Sequence, residues 1–110
     1  MKKIIYNKLV RDKIPEIIKK DGGTAKIIIL KQKEFIKQLF KKLKEEVDEL
    51  VKVKQEKKEL SKEIGDIYEV IEAIIKNLKL NNRRIIKLKN ERRKSRGRFS
   101  KRIFLKSIDK

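Results

Sequence analysis

Ten of the sixteen acids in this sequence lie between Glu45 and Glu72, and their spacing suggests chemistry. Glu45-Glu46-Val47-Asp48-Glu49 forms an E-E-x-x-E pattern, and Glu63-Ile64-Gly65-Asp66 forms E-x-x-D. On a helix, a spacing of three puts two carboxylates on neighbouring turns of one face. Carboxylates held together repel, and burial raises the cost of their charged forms. A hard divalent cation removes both problems. Mg²⁺ and Mn²⁺ favour oxygen ligands in six-fold geometry, and Mg²⁺ keeps waters and recruits substrate phosphates. The plainer reading of either pattern alone is a solvated helix face laced with lysine pairs such as Lys62 with Glu59.

Two elements must position these acids. Phe35, Ile36, Leu39, Phe40, Leu43, Val47, Leu50 and Val51 repeat at spacings of three and four, which predicts a helix from Glu34 to about Val53. Leu60, Ile64, Ile67, Tyr68, Ile71, Ile74, Ile75 and Leu78 predict a second. Extending the first stripe through Gln55-Glu56-Lys57 misses the second by roughly 100°, so one unbroken helix would bury its apolar face poorly. A hairpin turning near Glu56 lets both stripes face one core. Glu46 with Glu49, and Glu63 with Asp66, then lie on the same rotational flank of their stripes. With 46 level with 66, and 49 level with 63, four carboxylates converge on one groove as a candidate metal site.

The flanking segments are read more coarsely. Residues 3–10 and 102–105 look extended. Pro15 to Gly23 reads as a short helix opened by proline and closed by glycine, with Asp12 pairing with Arg11 or capping it. Residues 25–30 (AKIIIL) suggest a strand or extended piece. Asn81-Asn82 is a break, followed by a shorter helix to about Lys94. The expected fold class is all-α: a helical hairpin plus flanking helices, with short extended segments near both termini, in a single domain over residues 1–110.

Composition narrows the chemistry further. The chain has no Cys and no His, which removes thiolate or imidazole metal sites, disulfides, and Cys–His or Ser–His–Asp catalysis. Its 34 Lys and Arg leave a net charge of +18, yet residues 45–72 carry ten acids against five lysines. From Arg83 to Arg102 there are eleven cations and one acid. A protein that only coats phosphates has no need of a compact acidic centre; one that holds cations inside a polyphosphate site needs both signs. The apolar runs are far shorter than a bilayer span of ~20 residues. MKKIIYNKLVRDK lacks the apolar stretch of a signal peptide, so a cytoplasmic location is expected.

The carboxylate signature Glu45, Glu46, Glu49, Glu63 and Asp66 resembles that of the MazG-like all-α nucleoside triphosphate pyrophosphohydrolase superfamily. Tyr6 to Ile18 (YNKLVRDKIPEII) and Arg96 to Leu105 (RGRFSKRIFL) resemble a small phosphoribosyl-ATP pyrophosphohydrolase-like, house-cleaning subgroup. Gly65 departs from the pattern, since a better helix former is expected there. The resemblance implies a MazG-like bundle, cleavage between the α and β phosphates of a nucleoside triphosphate, and Mg²⁺ (or Mn²⁺) held by Glu46, Glu49, Glu63 and Asp66. It also implies a homodimer or higher homo-oligomer. Glu45 is the candidate to orient or deprotonate the attacking water, although its phase points away from the groove. No covalent nucleophile is evident, which favours direct water attack. Lys8, Arg11 and Lys13, with Arg96, Arg98 and Lys101 on the tail, are candidate triphosphate-binding cations. Tyr68 and Phe99 are able to stack on a base, though Tyr68 is expected at the edge of the core, with Phe35 and Phe40 inside it.

The competing reading is a basic helical nucleic-acid-binding module without catalytic activity, driven by the tail. A third is an inactive, antitoxin-like interaction protein. The converging acids argue for the enzyme.

Overall fold

The computed structural model describes residues 3–110, so Met1 and Lys2 of the N-terminal run lie outside the described residues. Among these residues the chain is all-helical: α1 (Ile14–Lys20), α2 (Gln32–Lys52), α3 (Lys57–Asn77) and α4 (Asn82–Arg96), with no strand. It divides into two units. The first extends to Lys79 and holds α1 to α3; the second, Leu80–Lys110, holds α4.

In the first unit, α1 opens with Pro15 and Glu16 in its first turn and ends on Lys19 and Lys20, which suits the helix dipole at both ends. Gly22 follows at φ +89°, the left-handed conformation that closes helices. Asp12 does neither of the things expected of it. Lys13 occupies the N-cap without a side-chain cap bond, and Arg11 reaches Asp66 and Glu69 instead.

The hairpin forms as expected. Helix α2 stops at Lys52, Val53 and Glu56 are extended, and α3 restarts at Lys57 and packs along α2. The turn contains no Gly or Pro. Burying both helices' apolar residues together is what bends the chain, because a straight rod would wind those residues out of register.

The packing sorts the apolar residues of each helix into two stripes. Leu39, Val70 and Ile74 are buried, with Leu9, Phe35, Ile36, Leu43 and Ala73 packed against them. A second stripe stays exposed: Phe40, Val47 and Val51 on α2, with Ile64, Tyr68 and Ile71 on α3 and Leu78 just past its end. Phe40 and Tyr68 are therefore not core. Tyr68 is 64% exposed, because the face inward to the hairpin is narrower than the full apolar arc of either helix. The segment 25–30 makes no strand; Ile27, Ile28 and Ile29 are exposed and outside any regular element, with no partner strand among the described residues.

In the second unit, Asn81 caps α4 by accepting a hydrogen bond from the Arg84 amide at 3.1 Å. Gly97, at φ +85°, ends the helix. No residue of α4 is buried.

Candidate metal site

Helix α2 delivers Glu46, and α3 delivers Glu63 and Asp66. One carboxylate oxygen from each lies within 4.8 Å of the others. The hairpin is centred near residues 54–55 rather than 56, so Glu46 comes level with Glu63 and Glu49 moves toward the turn. Glu49 lines the same depression but stands outside the tight trio. The flank assignment also shifts. Glu46 continues the inward spacing 39–43–46–50, and Glu63 the spacing 63–67–70–74, so both occupy seam positions. Glu63 is 6% exposed, fully among the buried residues of the hairpin.

The depression measures about 410 Å³ and is lined by Lys8, Lys42, Glu45, Glu46, Asp48, Glu49, Lys52, Lys62, Glu63 and Asp66. Glu45, expected to face away, is on its wall. Six carboxylates against four lysines leave a net formal charge of −2 on this lining, which one divalent cation would balance. Lys42 Nζ lies 3.4 Å from Glu46 and 3.6 Å from Glu45. Lys62 pairs with Glu63 at 3.4 Å, not with Glu59. The Lys62 ammonium is held above its usual range by its hydrogen bond to Glu63 and that carboxylate's charge. Asp66 and then Glu59 add to this, and desolvation opposes it.

Arg11, outside this lining, reaches one of its acids: Nη2 donates to Asp66 Oδ1 at 2.8 Å, and Nη1 lies 3.6 Å from Glu69. Lys8 lines the wall, while Lys13 caps α1 and does not line the depression. Arg96, Arg98 and Lys101 belong to the second unit. The Lys42 contact was legible as an i,i+4 pair. The Arg11 contact spans 55 residues and leaves no trace in local spacing.

The donor set fits a hard cation. Two oxygens on opposite sides of one Mg²⁺ stand ~4.2 Å apart, twice the 2.0–2.1 Å bond length. At most one pair of the trio can be opposed in this way, and adjacent oxygens stand ~2.9 Å apart, so the carboxylates would draw together by up to ~2 Å to close on an ion. All three donors are oxygens, and the lysine partners at 3.4–3.6 Å are loosely held and displaceable.

Comparison with protein-family models, with curated proteins and with solved structures finds no match for this chain. Among the described residues no helix is long and apolar enough to cross a membrane.

Proposed function

We propose that the chain is a Mg²⁺-dependent nucleoside triphosphate pyrophosphohydrolase of the cytoplasm, cleaving between the α and β phosphates to give a nucleoside monophosphate and pyrophosphate. The observation that carries the reading is the convergence of Glu46, Glu63 and Asp66 to within 4.8 Å from two helices. The bond cleaved is taken from the resemblance of the carboxylate signature to MazG-like enzymes.

In this reading Glu46, Glu63 and Asp66 hold the ion, with Glu49 completing the set from the same wall. A bound divalent cation neutralises phosphate charge and lowers the pKa of coordinated water. Glu45 accepts a proton from the attacking water, whose oxygen bonds to phosphorus as the bridging P–O bond breaks. Lys8 and Arg11 neutralise the remaining phosphate charge, and Arg11 exchanges Asp66 for the substrate. Lys13 is a further candidate phosphate ligand by the resemblance alone. A second copy of the chain covers the exposed apolar stripe of the hairpin, making the working form a homo-oligomer.

The test is pyrophosphate release from a nucleotide panel with Mg²⁺. Release is expected from the wild type and is expected to disappear in Glu46→Ala and Asp66→Ala. No release with any nucleotide, together with no divalent binding by calorimetry, refutes the reading.

A further inference from the structure

We propose that the second unit, Leu80–Lys110, is a binding arm for single-stranded nucleic acid. The proposal stands independently of the carboxylate site, whose acids all belong to the first unit.

The unit carries thirteen cations and two acids, Glu91 and Asp109. Eight of those cations are on α4, and they surround it rather than marking one face. At 100° per residue, Arg83, Lys87 and Lys94 share one side, while Lys89, Arg93 and Arg96 share the other. Among the described residues none of these groups makes an ion pair. Arg83 with Lys87, Lys89 with Arg93, and Arg92 with Arg96 are like-charge neighbours four apart, which disfavours a helix. With no buried side chain either, α4 lacks both of the usual sources of helix stability. A phosphate backbone supplies the missing counter-charge on every side.

The tail says which kind of strand. Beyond Gly97 the chain reads Arg98-Phe99-Ser100-Lys101-Arg102-Ile103-Phe104. Phe99 is 99% exposed and follows Arg98, and Phe104, 86% exposed, sits in the apolar triplet Ile103-Phe104-Leu105 between Arg102 and Lys106. Open aromatic faces interleaved with cations form a stacking platform for unpaired bases, whereas a duplex keeps its base faces covered.

Full-length protein without divalent ions would be titrated into labelled oligonucleotides of about 16 nucleotides, single-stranded RNA and DNA and the matching duplex, over a range of KCl. Either single strand should bind more tightly than the duplex, with strong salt dependence. Replacing Arg83, Lys87, Lys89 and Arg93 together with Gln preserves helix propensity. It should weaken binding at least ~10-fold and flatten the log–log salt slope by about 3. Phe99→Ala with Phe104→Ala should weaken single-strand binding by roughly 10-fold and leave the slope unchanged. Circular dichroism should show helix content rising with added single strand. Three outcomes overturn the proposal: duplex binding as tight as single-strand binding and indifferent to the Phe variant, affinity unchanged by the quadruple variant, or adsorption to phosphatidylserine vesicles with no oligonucleotide retained at ~150 mM KCl.

Discussion

Arg11 Nη2 donates to Asp66 Oδ1 at 2.8 Å, tying the segment before α1 to a carboxylate of the candidate metal trio. The guanidinium is more than half exposed, so the bridge adds little to folding, well under ~1 kcal/mol. Its effect is on the site. Under the proposed function, Arg11 bound to Asp66 would compete with a cation for that oxygen and would turn to phosphate when released. Arg11→Gln should leave the melting temperature nearly unchanged, tighten Mn²⁺ binding several-fold, and raise KM for the nucleotide by about 10-fold, the loss of one charge-assisted contact. Calorimetry and steady-state kinetics measure the two effects. A purely superficial ion pair would move neither.

Glu63 is the buried member of the trio, and its carboxylate gains most from a counter-charge. Ion binding to the folded state alone stabilises by about 2.7 kcal/mol at a hundredfold excess over Kd. Glu63→Gln should abolish that Mg²⁺-linked rise in melting temperature, while Glu49→Gln, outside the tight trio, should only reduce it. Thermal scans with and without Mg²⁺ decide the matter. An equal rise in wild type and Glu63→Gln would remove Glu63 from the site.

The hairpin was legible because spacings of three and four mark helices, and a phase slip between two stripes demands a reversal. Pro15 and the Asn81 break were legible as local backbone chemistry. What spacing did not reveal was which apolar arc turns inward: Phe40 and Val47 recur as regularly as Leu39 and Leu43. Glu46 and Glu63 look like flank residues until the packing puts them in the seam. The run of isoleucines at 27–29 carries strand propensity, but a strand needs a partner, and among the described residues none is supplied. Contacts such as Arg11 with Asp66 arise only from tertiary packing.

Gly65 lies within α3, and a Cβ built there meets no heavy atom within 4 Å. Its phase is on the side of the helix away from Val70 and Ile74. Gly65→Ala therefore relieves the backbone entropy cost without creating a clash, and should stabilise the protein by about 1 kcal/mol. The melting temperature should rise by about 4 °C or more, with divalent affinity unchanged. A drop in stability would mean that α3 departs from regular helix at this position.

The exposed stripe of Phe40, Val47 and Val51 on α2 and Ile64, Tyr68 and Ile71 on α3 occupies the same-handed flank of both helices. An approximate two-fold relation between the helices therefore brings these side chains to one face of the hairpin. A contiguous apolar surface of this kind is where a second copy would bury area that water otherwise covers. Two chains of net charge +18 repel each other, so association should strengthen as salt rises, opposite to the behaviour of an ion-paired interface. Light scattering should show a dimer whose affinity increases with KCl. Val47→Lys with Ile71→Lys should weaken it at least ~10-fold, because each lysine would have to be desolvated in the interface. A wild type that stays monomeric at high salt and high concentration would leave this face as ordinary solvent-exposed surface.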